Sequence, residues 1–301
     1  MDLSSTIGAL TFKNPVLTAS GTFGYGLLMN EIFDISLLGG IITKSVTMKP
    51  RLGNPPPRTV ETACGMLNSI GLENKGIDHF INEILPATKD FRTNIIASIA
   101  GENDEEYGTL AERLDGKVDA LEVNISCPNV KEGGMSFGQD LLATERVIRA
   151  VKGSTSLPVI AKLTPNVTRI EDFAVVCEES GADAISLVNT YKGLSVNIIE
   201  RRSGIGGFSG GLSGPAIKPL ALFAVLSVSR SVDIPVIGCG GISTWADAVE
   251  FVMVGASLVE VGSATFREPD ASLKILEGIK EFMVREKIRN IKEIVGVVKE
   301  D

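Results

Sequence analysis

Histidine is almost absent. The one copy, His79, lies in a segment, residues 75–85, whose apolar spacing predicts a surface helix away from any strand end. A Ser–His or Cys–His dyad would depend on this residue alone, which argues against histidine as the base of any proton chemistry near neutral pH. Cysteine is scarce as well. Cys64, Cys127, Cys177 and Cys239 stand far apart with no C-x-x-C pair. That pattern argues against a zinc site, an iron–sulfur cluster held by this chain alone and a disulfide scaffold. It suits a reducing, cytoplasmic compartment. Positive charge is in deficit: 29 Lys and Arg against 37 Asp and Glu leave a net charge of −8, unlike a nucleic-acid-binding surface. No apolar run approaches the roughly 20 residues of a membrane span, and no basic-then-apolar signal peptide opens the chain. Neither a membrane nor a nucleic-acid partner is expected.

What is present is an ordinary globular balance. Hydrophobic residues make up 44% and charged residues 22% of 301 positions, enough for one large core, and no linker or repeat divides residues 1–301. Short β-branched runs alternate with helical patterns almost from end to end. Candidate strands are Pro15–Ala19, Gly40–Ser45, Asn94–Ile99, Ala120–Ser126, Val159–Leu163, Ala184–Asn189, Pro235–Cys239 and Leu258–Gly262. Helical spacing fills segments between them, such as Ile170 to Glu179 and Ala246 to Met253. Such alternation requires parallel strands with helical crossovers, and about eight units predict a closed (β/α)8 TIM barrel; an open doubly wound sheet is the alternative. Two insertions interrupt the rhythm, one between Ser45 and Leu72 rich in proline, one between Tyr191 and Pro219 rich in glycine. Both leave carboxyl ends of strands, so both are expected to roof the face where such barrels keep their chemistry.

Three features carry chemistry. The first is Asn124-Ile125-Ser126-Cys127-Pro128-Asn129, after an apolar run. Two side-chain amides flank a thiol, each able to donate and accept, which suits a ring with alternating C=O and N–H groups. The other reading is a buried structural cysteine in a turn. With histidine set aside, Cys127 is the leading candidate base. The second feature is a pair of glycine turns, Gly240-Gly241 and Gly262-Ser263, after the last two strands, where barrels commonly grip a phosphate. Ser243 and Thr244 are good caps for the following helix. The G-x-G-x-x-G dinucleotide fingerprint is missing in its proper setting: Gly204 to Gly210 has the wrong spacing and opens no strand–turn–helix unit. That favours a mononucleotide such as FMN over a directly bound NAD. The third feature is Lys162, a lysine inside an apolar strand, which needs a negative partner. The electron-rich edge of a reduced flavin is one such partner; a barrel glutamate, Glu122 or Glu260, is the other.

In order and spacing, these motifs resemble the class 1 dihydroorotate dehydrogenases, FMN enzymes of pyrimidine synthesis. The resemblance runs from about Ala19 to Gly262 and includes Ala19-Ser20-Gly21, Thr43-Lys44-Ser45, Asn68-Ser69-Ile70-Gly71-Leu72, residues 124–129, Lys162, Val188-Asn189-Thr190 and the two glycine turns. It implies that Cys127, where membrane-attached class 2 relatives carry serine, removes the C5 proton of dihydroorotate while hydride passes from C6 to flavin N5. It implies a substrate site of Lys44, Asn68, Ser69, Ile70, Gly71, Leu72, Asn124, Asn129, Asn189 and Thr190, with Lys44 between substrate and flavin. FMN would contact Ala19, Ser20, Gly21, Lys44, Ser45, Ser98, Asn124, Lys162, Val188 and Gly214, with its phosphate on Gly240, Gly241, Gly262 and Ser263. Ser98 stands where some class 1B relatives carry an asparagine. No metal is implied.

Residues 131–134 and 211–219 resemble class 1B, whose catalytic chain pairs with a second subunit carrying FAD and a 2Fe–2S cluster and passes electrons to NAD. The implied assembly is a heterotetramer of two catalytic and two electron-transfer chains around a homodimer core. The segment from Val130 to Gln139, with three glycines, predicts a lid over the substrate. Competing readings are a fumarate-using class 1A enzyme, a dihydropyrimidine dehydrogenase-like FMN barrel, a dihydrouridine synthase, and a non-catalytic phosphate-binding barrel.

Overall fold

The computed structural model describes residues 1–126 and 137–299. Each of the eight β-branched runs forms a strand, its ends differing from the sequence reading by a few residues. They are β1 (Val16–Thr18), β2 (Gly40–Ile42), β3 (Asn94–Ile99), β4 (Ala120–Asn124), β5 (Val159–Lys162), β6 (Ala184–Leu187), β7 (Val236–Cys239) and β8 (Ala256–Val261). All pair in parallel with their sequence neighbours, and β8 closes on β1, so the sheet is a barrel and not an open doubly wound layer.

Helices wrap the barrel: α1 (Asp104–Leu114), α2 (Leu141–Lys152), α3 (Ile170–Glu179), α4 (Lys218–Ser229), α5 (Trp245–Met253) and α6 (Ala271–Arg285). Their starts are written in the sequence. Asn103 accepts from the Glu106 N–H, Asp140 from the Ala143 N–H, and Thr244 forms a capping box with Asp247. On α2 the buried residues Ala143, Thr144, Val147, Ile148 and Val151 make one stripe against the sheet. The 75–85 segment is helical but uneven, α-helical over Gly76–His79, π-helical over Phe80–Ile84 and α-helical again over Leu85–Ala87.

Strand periodicity sorts the barrel interior into layers. A lower layer of Leu17, Ile42, Ile96, Ala120, Ile160, Ala184, Ile237 and Leu258 forms a dry cluster, closed from below by Ile7 and Phe12. Those two come from an antiparallel hairpin, Ser5–Ile7 with Leu10–Phe12. Two residues further along six of the strands stand Ser98, Glu122, Lys162, Ser186, Cys239 and Glu260. The period-two pleat therefore turns an apolar floor into a polar tier nearer the carboxyl ends.

The insertions are more ordered than their composition suggests. Thr59–Thr62 pairs with Gly65–Asn68, which pairs with Gly210–Ser213, which pairs with Tyr191–Gly193, one antiparallel sheet built from both insertions. Local sequence could not show this, because the central pairing, Asn68 with Gly211, joins partners more than a hundred residues apart. Among the described residues no helix is long and apolar enough to cross a membrane. A cavity of about 480 Å³, lined by Leu85, Phe91, Arg92 and Lys117, opens at the amino-terminal end of β3 and contains none of the motif residues.

Candidate active site

The site is assembled where β1 to β6 end. Ser20 donates from Oγ to the Thr43 carbonyl at 2.9 Å and lies 3.4 Å from the Ser45 hydroxyl. Ser45 in turn meets Ser98 at 2.9 Å and receives the Asn124 amide at 3.3 Å. Four strand ends thus share one polar chain. Asn124 is held from behind by the Tyr107 hydroxyl, which donates to its carbonyl at 2.7 Å. Its side-chain oxygen accepts from Ser126 Oγ at 2.5 Å and from the Asn189 amide at 3.4 Å, and Asn189 also donates to Ser126 at 2.9 Å. Asn124 and Asn189, expected on one substrate, therefore sit side by side. Thr190 follows, its carbonyl accepting from Asn166 at 3.0 Å.

The roof sheet supplies the next group. Asn68 donates to the Gly211 carbonyl at 3.3 Å, and Ser69 accepts from Asn54 at 2.7 Å. Ile70 accepts from the Asn54 N–H, then Gly71 and Leu72 turn the chain with φ of 74° and 54°. A leucine in that left-handed region is strained, which fits a functional loop. Lys44 is drawn toward this loop, its ammonium 2.6 Å from Glu73, with Arg58 3.9 Å from the same carboxylate. The Lys44 hydrogen bond holds the Glu73 carboxyl below its ordinary range.

In the polar tier Lys162 contacts Glu260 directly, donates to Ser186 at 3.0 Å, and lies 3.8 Å from Glu122. The internal ion pair weighed from sequence is thus present. Burial disfavours the charge on Lys162, but the Glu260 carboxylate in direct contact with it outweighs burial and raises its pKa. Glu122 is fully buried with neither oxygen hydrogen-bonded; Ser98 and Glu260 face it outside hydrogen-bonding geometry. Burial first, then the neighbouring Glu260 charge, push it up to about 8, which favours its protonated form near neutral pH. Burial likewise pushes the Cys239 thiol up to about 12 and keeps it protonated.

The glycine turns lie at the ends of β7 and β8. Gly240 and Gly241 have φ of 124° and 79°, which other residues rarely adopt, and a Cβ on Gly241 would meet Lys218 at 2.8 Å. Gly262 precedes a short 3₁₀ turn, Ser263–Phe266, and a Cβ on it would meet the Ala19 methyl at 3.4 Å. A Cβ on Gly21, beyond β1, would meet nothing within 4 Å, so open space begins there. The Ser243 and Thr244 N–H groups already donate to Asp247, at 3.0 and 2.8 Å, and Asp247 is neutralised by Lys218 at 2.7 Å. An anion at this end would therefore rely on the glycine turns and the Ser263 end. Val188 is fixed by its N–H to the Cys239 carbonyl at 2.7 Å, and Gly214, with φ of 102°, packs on Gly65 of the roof.

Cys127, Asn129 and residues 130–136 of the expected lid lie outside the described residues. The end of that segment is described: Phe137–Gln139 forms a 3₁₀ turn, Gly138 N–H donates to the Ile125 carbonyl at 2.8 Å, and Phe137 packs edge-on against Tyr107. Sequence reasoning missed Glu73, Ser126, Asn166 and Ser186. Ser186 had a readable signal, its place two residues after the floor residue Ala184; Glu73 had none, because only the tertiary fold brings it to Lys44.

A closed parallel barrel with a polar tier, an amide cluster at its mouth and glycine turns after β7 and β8 defines an α/β-barrel enzyme. More narrowly, the family model for dihydroorotate dehydrogenase matches residues 2–283, and the chain belongs to that family. Its members oxidise dihydroorotate to orotate in pyrimidine biosynthesis. The chain is 50% identical over 300 residues to a Thermodesulfovibrio yellowstonii protein named dihydroorotate dehydrogenase B (NAD(+)), catalytic subunit, covering 99% of each. It is 49% identical over 301 residues to an Aquifex aeolicus protein whose name carries the label A (fumarate), covering 99% of this chain and 98% of that one. A crystal structure of the Eimeria tenella enzyme in complex with ferulenol shares the fold, with a TM-score of 0.80 at 23% identity over 98% of this chain and 88% of that one.

Proposed function

We propose that this chain is the FMN-bearing catalytic subunit of a class 1B, NAD-linked dihydroorotate dehydrogenase, one barrel domain over residues 1–301, working in the cytoplasm. The observation that carries the reading is the Asn124–Ser126–Asn189 cluster at the ends of β4 and β6, immediately before Cys127. Its amides offer both donors and acceptors to the edge of a dihydropyrimidine. FMN, when bound, supplies the hydride acceptor. Support for FMN comes from the open space beside Gly21, the serine chain from Ser20 to Ser98, Lys162 in the polar tier and the glycine turns. Ala19, Ser20, Gly21, Lys44, Ser45, Ser98, Asn124, Lys162, Val188 and Gly214 would hold the flavin, and Gly240, Gly241, Gly262 and Ser263 its phosphate.

In this reading Cys127 takes the proton from C5, and Lys44 with Asn68 to Leu72, Asn124, Asn129, Asn189 and Thr190 orients the ring. Donors aimed at the C4 carbonyl stabilise the enolate that develops as the proton leaves. A free thiol has a pKa near ~8.5, so turnover rises with pH as Cys127 ionises. Replacing Cys127 by alanine cuts anaerobic reduction of the flavin by dihydroorotate by ~10²–10⁴-fold, the usual worth of a positioned base. Single-turnover rates close to wild type would remove Cys127 from this role.

Electrons would leave through a partner subunit with FAD and a 2Fe–2S cluster, in a heterotetramer around a homodimer of this chain. Support is the name shared by several relatives, such as the Thermodesulfovibrio yellowstonii protein. The label on the Aquifex aeolicus relative favours fumarate as the second reading. Copurification from the native source followed by assays with NAD and with fumarate decides between them. Turnover with fumarate by the isolated chain would overturn the NAD assignment.

A further inference from the structure

The polar tier holds two carboxylates and one ammonium in a sealed space. Glu122 and Glu260 are 0% exposed and Lys162 is 5% exposed, so no solvent screens them. Glu260 touches Lys162 and shares Ser186 with it, while Glu122 stands 3.8 Å from the same ammonium. Among the described residues the remaining facing groups are uncharged: the Ser98 and Ser186 hydroxyls and the Cys239 thiol. Two ionised carboxylates beside one lysine would leave a net buried charge, which is far costlier than a matched pair. One proton must therefore reside on the two glutamates together. The orphaned oxygens of Glu122 identify where it rests: a protonated acid tolerates a lost acceptor bond better than an anion does.

We propose that Glu122 and Glu260 act as a one-proton pair that presents Lys162 with a single negative charge at neutral pH, and thereby sets the reduction potential of the flavin above it. The inference rests on the flavin reading given above. Hydride from dihydroorotate C6 brings two electrons and one proton to the ring, while the C5 proton goes to the base, so one negative charge appears on the flavin edge. An uncompensated Lys162 would favour that charge strongly and trap the enzyme reduced; a lysine already matched by one carboxylate favours it less. The glutamates touch neither substrate nor flavin in this account. They are positioning residues acting through the ammonium.

Redundancy is the distinguishing consequence. When Glu260 becomes neutral, Glu122 ionises and takes over as counter-ion; when Glu122 becomes neutral, Glu260 is already in place. Glu122→Gln and Glu260→Gln, each measured as flavin-loaded protein by equilibration with redox dyes near pH 7, should each leave the oxidised-to-reduced equilibrium within about twofold of wild type. The double replacement should shift it at least tenfold toward reduced, about 30 mV upward for a two-electron couple. In wild type the second carboxylate ionises near pH 8, so the potential falls more steeply between about pH 7 and about pH 9 than in either single variant. Singles that each shift the potential as far as the double, or a wild-type pH profile unchanged by Glu122→Gln, would overturn the pair. The pH comparison stands even if the double variant does not fold. Protein that takes up no FMN overturns the functional reading and this inference with it; flavin-loaded protein that fails these comparisons overturns the inference alone.

Discussion

Individual side chains in this site gain their chemistry from what surrounds them. Lys162 and Lys44 show the contrast. Lys162 is sealed and matched by carboxylates, whereas Lys44 reaches Glu73 across a half-open gap, with side chains 23% and 44% exposed. An ion pair this exposed is screened and contributes about 1 kcal/mol or less. Glu73 is held below its ordinary pKa by Lys44, so its stabilisation is present above the unfolded carboxyl value and lost as pH falls through the folded one. Glu73→Gln should therefore lower stability near pH 7 by no more than about 1 kcal/mol in urea unfolding, with no difference from wild type at acid pH. A larger loss would show that Glu73 supports the loop by more than charge. Lys162 was legible as a charge needing a partner, because it interrupts an apolar strand. Glu73 was not, since nothing in its local pattern points to Lys44.

At the scale of elements, the strands and most helices were readable because each is stabilised locally. β-branched runs, period-two alternation and caps such as Asn103 and Asp140 act within a few residues. The roof sheet was not readable. Its strands are short and glycine-rich, and they are held by each other: Asn68 pairs with Gly211, and Gly211 pairs with Lys192. Close approach explains the glycine. A Cβ on Gly211 would lie 1.9 Å from the Thr190 hydroxyl oxygen and 2.5 Å from its Cβ, so even alanine must push strand and site apart. Gly211→Ala should cost about 1–3 kcal/mol, the usual range for overpacking, and weaken orotate binding by at least about tenfold. Titration of the flavin absorbance with orotate measures this; unchanged affinity would show that the roof does not bear on the substrate.

Across the whole molecule the barrel divides its labour between its ends. The floor is apolar and plugged by Ile7 and Phe12, while the tier above carries charge and hydroxyls and the mouth carries amides. Residues at the bottom face hold the fold, and those at the top do chemistry. Phe12→Ala should therefore cost about 3–5 kcal/mol through the cavity it leaves, yet leave the flavin reduction rate per folded molecule unchanged. Differential scanning calorimetry and single-turnover kinetics on the same preparation check both halves. A matching fall in rate would mean that floor packing reaches the mouth.

The sequence by itself determined the architecture and the family. Eight β-branched runs with capped helices between them lead to a closed parallel barrel, and ordered motifs from Ala19 to Gly262 name its kin. Only the tertiary structure decided which groups meet: Lys44 with Glu73, Asn68 with Gly211, and two glutamates with one lysine inside a sealed tier. The physical reason is range. Backbone propensity and capping act over a few residues and leave a local trace, whereas charge pairing and close packing depend on distances that chain closure alone sets.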